Sequence, residues 1–115
     1  MGVYNGSSDG TVYTFADGSP ISDCSDAGQI HVLESGVVDL NLSCLDVPIS
    51  GTGSFVDADT ATGTADAGTI ASSIPFSMDL APGDGGQMGV TLIAEAVGNL
   101  GGTEVRIDYR FDGLR

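Results

Sequence analysis

The chain has no lysine and no tryptophan, one histidine and two cysteines in 115 residues. Three arginines stand against sixteen acidic residues, a formal charge of −13. A protein so short of cations lacks the basic surface that neutralises phosphates, which excludes nucleic acid and argues against anionic membranes. One imidazole, His31, cannot build a multi-histidine zinc site. No apolar run approaches the ~20 residues that cross a bilayer as a helix. The first residues, Met1 to Asn5, have neither the basic nor the apolar region of a secretory signal, so a chain made without one, or trimmed of it, is expected.

Helical patterning is missing as well. No segment repeats apolar residues at i, i+3, i+4 and i+7 over three turns, and the acids are aspartate far more often than glutamate. A local nucleophile signature is also absent: no Gly-x-Ser-x-Gly elbow surrounds any serine, and His31 reads as a strand residue with a satisfied nitrogen. Paired carboxylates for glycoside hydrolysis would need a cleft with stacking rings, and Tyr4, Tyr13 and Tyr109 are a poor supply. The expectation is a protein without catalytic activity.

What the sequence does hold is alternation. Apolar side chains fall at 38, 40, 42 and 44, at 74, 76, 78 and 80, and at 105, 107, 109 and 111, the period of half-buried strands. Weaker strands are read over 11–15, 29–33, 51–56 and 87–97. Pro75 cannot donate to a ladder, so its strand lies at an edge or turns that position to solvent. Glycine, aspartate and asparagine punctuate the intervals, as short turns require. With Leu, Ile, Val and Phe making up 29 residues, there is enough apolar bulk for one core. These features predict one all-β domain over residues 1–115, an antiparallel β-sandwich or partly closed barrel of about seven or eight short strands.

Several residue sets invite functional readings. Asp57, Asp59 and Asp66 offer oxygen ligands to Ca2+, although Ala61 and Thr62 stand where an EF-hand loop needs an oxygen and a glycine. The reading preferred for them is a solvated acidic loop, and no other cofactor is indicated. Cys24 and Cys44 would close a loop of about 20 residues if bridged, worth around 3 kcal/mol by chain entropy, with two reduced thiols as the equal alternative. The segment Thr60 to Ala67 is nearly free of bulk and reads as an exposed loop or as a flat strand lying against another subunit. Its contact candidates are Thr60, Thr62, Gly63 and Thr64. All the positive charge sits in the last ten residues. Arg106 and Arg110 share one strand face, where the preferred reading is pairing within the domain, Arg106 with Glu95 across the final hairpin and Asn99 to Gly102 at its turn. Asn5 and Asn41 begin glycosylation patterns that also arise by chance.

The absence of lysine, the aspartate-rich surface and a pI near 4.1 fit a protein working at molar salt, where a Debye length of about 3 Å silences surface repulsion. The expected function is a non-catalytic structural subunit of an extracellular assembly, a virion protein that decorates a capsid or forms part of a tail. Its expected partners are other protein subunits, as a homo-oligomer or with capsid or tail proteins. The alternatives are a secreted or cell-surface binding module, with or without dependence on calcium, and a small-molecule carrier, for which the sequence offers no polar anchor.

Overall fold

In the computed structural model, residues 2–44, 47–68 and 71–115 are described, apart from the side chains of residues 44, 84 and 100. The strands are β1 (Gly2–Thr14), β2 (Pro20–Val32), β3 (Val37–Cys44), β4 (Val47–Phe55), β5 (Thr60–Ala67), β6 (Ala71–Pro82), β7 (Met88–Leu100) and β8 (Thr103–Leu114). Each pairs antiparallel with the next, and β8 returns to β1, closing an up-and-down barrel. The molecule measures 43 × 26 × 21 Å because β1, β2, β7 and β8 are half as long again as β3 and β5. Of the two expected architectures, the barrel is the one formed.

The three strongly alternating segments lie in β3, β6 and β8, and their apolar positions face the lumen: Val38, Leu40 and Leu42, Ile74, Phe76 and Met78, Val105, Tyr109 and Phe111 are all buried. An eight-stranded barrel is just wide enough for side chains to fill. Here bulk and its absence are matched across the lumen. The large residues Tyr4, Phe76 and Phe111 share one core with Ala61, Ala65 and Ala67 of β5. Gly53 of β4 pairs with Gly63 of β5, and a Cβ built on either would lie 2.9 or 2.8 Å from the Phe76 ring. The missing bulk of residues 60–67 therefore makes room for Phe76.

That placement corrects the reading of this segment as an exposed loop: it is a strand of the barrel wall, with its threonine face turned outward. β5 is flanked by β4 and β6 along its length, so both its edges are occupied. Ala61, Ala65 and Ala67 are buried, whereas Thr62 and Thr64 point outward. The outward positions of the barrel are rich in Asp, Ser and Thr, and most apolar side chains line its inside, with Val3, Ile21, Ile93 and Val97 among the exposed exceptions.

The final hairpin departs from the expected register. Leu100 pairs with Thr103, and the turn is Gly101–Gly102 alone, both with positive φ (61° and 87°). Two successive glycines in this conformation make the tight turn that matches strand twist. That turn puts Val97 opposite Arg106 and Glu95 opposite Asp108. The expected Glu95–Arg106 pair is thus not the cross-strand pair formed. Turn geometry fixed the register, at the cost of facing two carboxylates, and Arg106 instead bonds Asp108 on its own strand at 3.2 Å.

Candidate functional site

The barrel is sealed along its lower half and parts along two seams at the end that carries the β1–β2 and β7–β8 turns. The β6–β7 register runs from Pro82↔Met88 to Phe76↔Ala94 and stops there. The next residue of β6 is Pro75. A two-residue turn closes on a hydrogen-bonded pair, so the even-numbered residues of β7 bond to β8, and the N–H and C=O of the odd ones face the other way. At Glu95 the missing partner is the N–H that proline does not have. Beyond Pro75, β6 bends away toward β5. Ser73 takes a positive φ of 53°, its N–H bonds Asp66 Oδ1 at 2.9 Å, and the β5–β6 register shifts at Asp66.

The second seam separates β2 from β3, whose register covers only Gln29–Val32 and Val38–Asn41. Here side chains substitute for the ladder. The buried Ser8 hydroxyl lies 3.1 Å from the Asp26 carbonyl and 3.3 Å from the Ser43 carbonyl, sharing one proton between them. Tyr109 donates its phenol to the same Ser43 carbonyl at 3.4 Å. Burial pushes the Tyr109 pKa up to about 12, against the lowering effect of Ser8 and with a further rise from the Asp26 charge. Cys24 lies on the same inner face of β2 and is disulfide-bonded. The side chain of Cys44, the other half of the expected pair, lies outside the described residues.

Above the seams the molecule is two sheets, β2-β1-β8-β7 and β3-β4-β5-β6, with an apolar cavity of about 40 Å³ between them. Leu40, Ile49, Phe76, Leu92, Ala96 and Tyr109 are among its walls. Ligand pockets run to about 300 Å³ and more. This one is the residue of imperfect packing where the sheets diverge, and its wholly apolar lining gives water no partners.

The outer face of the long sheet carries rows of side chains set by the β7–β8 and β8–β1 registers. One row is Val97, Arg106 and Tyr13, with the guanidinium 5.0 Å from the Tyr13 ring centroid. The next is Glu95, Asp108 and Thr11, and the third Ile93, Arg110 and Asp9. Arg110 binds Asp112 through two contacts, 2.8 and 3.2 Å, which hold that carboxyl below its ordinary range. Asp108 Oδ1 is buried without a hydrogen-bond partner. Val97 and Ile93 remain 55% and 49% exposed. The arginine strip is thus paired within β8 itself, not with the acids of neighbouring strands.

The calcium candidates are not brought together. Asp57 and Asp59 lie within the β4–β5 turn, whereas Asp66 lies near the far end of β5, roughly 20 Å along the strand. Asp57 Oδ1 accepts the N–H groups of Asp59 and Thr60, and the bond from Asp59 does most to lower its pKa. Asp59 Oδ1 accepts the Thr60 hydroxyl. Each acid serves its own turn or bulge. Among the described residues no group of three His, Cys, Asp or Glu side chains is placed to hold a metal. His31 lies on the outer face with Nε2 3.2 Å from Gln29 Oε1. Sequence reasoning missed the open edge of β7 altogether, though its two determinants, Pro75 and the Gly101–Gly102 turn, were both visible. No family model matches the chain, and comparison with curated proteins and with solved structures likewise gave no match.

Proposed function

We propose that the chain is a non-catalytic structural subunit of an extracellular particle at high salt, a virion protein that decorates a capsid or forms part of a tail. The observation that carries this reading is the combination of a filled lumen with unpaired strand edges at one end. A carrier needs a cavity sized for cargo, and the space between these sheets is about 40 Å³. Unpaired main-chain donors and acceptors, by contrast, are a template for another chain. The acidic exterior suits a protein held in molar salt, where its charges do not repel its neighbours. With Asp57 and Asp59 apart from Asp66, a binding module would lack the calcium ligands proposed for it.

The test is stoichiometry in native particles. Particles purified from the medium of the source culture should contain the chain at a fixed, symmetry-related copy number by quantitative mass spectrometry. A chain found only free, or at amounts that vary between particle preparations, would remove the reading.

A further inference from the structure

From the free edge of β7 we infer that two copies of this chain pair through residues 95–99, antiparallel and centred on Val97. This rests on the structural-subunit reading and names the first contact it makes. The edge is six residues long, from Glu95 to Leu100, and on its outer side it has no strand partner among the described residues. None of the turn or loop backbone bonds involves it. Its hydrogen-bonding groups are displayed with the right spacing. The N–H and C=O of Glu95, Val97 and Asn99 point away from β8, by the parity that the Gly101–Gly102 turn imposes.

Natural sheets guard such edges with proline, lysine, bulges or charge. The other free edge of the same sheet, β2 above Gln29, is guarded: it opens with Pro20, bears Asp23 and Asp26, and is tied to β3 by the Ser8 hydroxyl. β7 has no proline and no bulge there, and Glu95 is its only charge.

Self-pairing is favoured by what each register would bring together. Opposed residues in an antiparallel pair must share a sheet face, so an isologous pairing is centred on a residue. Centred on Val97, the valine meets its own copy, Ala96 meets Gly98 of the second copy, and Glu95 meets Asn99. No acid faces an acid. Each odd-numbered pair exchanges both of its hydrogen bonds, and the two exposed valines cover each other. Arg106, one strand inward from each Val97, places positive charge on both sides of the junction. Two molecules of charge −13 resist this in dilute buffer and do so less as salt rises.

Sedimentation equilibrium of the full chain at 0.1 M and 3 M NaCl tests the inference. Wild type should be monomeric at low salt and dimeric at high salt. Val97→Pro removes the central N–H, which in a fold that keeps it on the outer edge is spared by the domain, and should abolish the dimer with little change in circular dichroism. Asn99 reads the register. Asn99→Glu sets a carboxylate against Glu95 twice and should weaken the dimer about tenfold, whereas Asn99→Lys should tighten it by a similar factor. A monomer at 3 M salt and millimolar protein overturns the inference and leaves the particle reading to its own stoichiometry test. A dimer indifferent to Val97→Pro, or to both changes at Asn99, places the contact elsewhere and overturns it too.

Discussion

Gly63 shows how a single absent Cβ is used. It is one of a pair of glycines over which the Phe76 ring lies, so Phe76 can fill the lumen only while positions 53 and 63 stay bare. Replacing Gly63 by Phe should cost more than about 2 kcal/mol, since the added bulk meets strand backbone as well as the ring. The milder Gly63→Ala should already lower the melting temperature by several degrees. Urea denaturation of both variants checks this, and an unchanged midpoint for Phe would show that residue 63 faces outward. Tyr109 supplies a pH effect at the same scale. Its folded pKa, about 12, lies above the ordinary 10 of an unfolded tyrosine. The stability tied to its neutral form is therefore complete below pH 10 and is lost as pH rises from there through about 12. Alkaline titration followed by tyrosinate absorbance should show a late step, near pH 12, that belongs to Tyr109. Tyr109→Phe should remove that late step and flatten the alkaline fall in stability.

At the scale of elements, the two seams differ in how they are held. The β6–β7 seam ends at a residue with no donor and is left open. Between β2 and β3, by contrast, the Ser8 and Tyr109 hydroxyls converge on one carbonyl, that of Ser43. Ser8→Ala should cost about 1 to 2 kcal/mol, because a buried carbonyl loses part of its satisfaction along with the bond to Asp26. The double variant with Tyr109→Phe should cost more than the sum of the two singles, since either hydroxyl can still serve Ser43 when the other is gone. Chemical denaturation of the four proteins in the cycle measures the difference. Strict additivity would mean that the two groups act independently.

For the whole molecule the dominant quantity is charge. Sixteen acids and three arginines sit on a barrel of 11.6 kDa, and two of those arginines are already committed to Asp108 and Asp112 on their own strand. At 0.1 M salt the Debye length is about 10 Å, comparable with the spacing between strand rows, so the remaining carboxylates repel one another across the surface. At 3 M that repulsion is confined to direct contact. The melting temperature should therefore rise by many degrees between these conditions. It should do so for Val97→Pro as for wild type, which separates screening within one molecule from any gain through pairing. A flat profile in scanning calorimetry would dismiss the high-salt environment as the origin of this composition.

Alternation over 38–44, 74–80 and 105–111 fixed three strands and the direction of every described side chain in them, because a period of two is a local property of the backbone. Aspartate and glycine marked the turns after β1, β6 and β7 for equally local reasons, but Ser8-Asp9-Gly10 carries the same turn signal and lies inside β1. β1, β2 and β5 were harder to read. Gly2 to Gly10, Pro20 to Gly28 and Thr60 to Ala67 carry too few bulky residues to alternate visibly, and they are strands because neighbours on both sides, or on one, hold their backbones. Closure into a barrel is likewise non-local, as is the use of Gly53 and Gly63 as the seat of Phe76. The register of the last hairpin turned on whether two glycines or four residues made the bend, a choice that placed Glu95 against Asp108 despite their charges. Nearness in sequence put Asp66 with Asp57 and Asp59, and an intervening strand took it away. The open edge of β7 arises where Pro75 meets a position that only the tertiary pairing assigns to it, since a missing N–H matters only opposite the carbonyl that needed it.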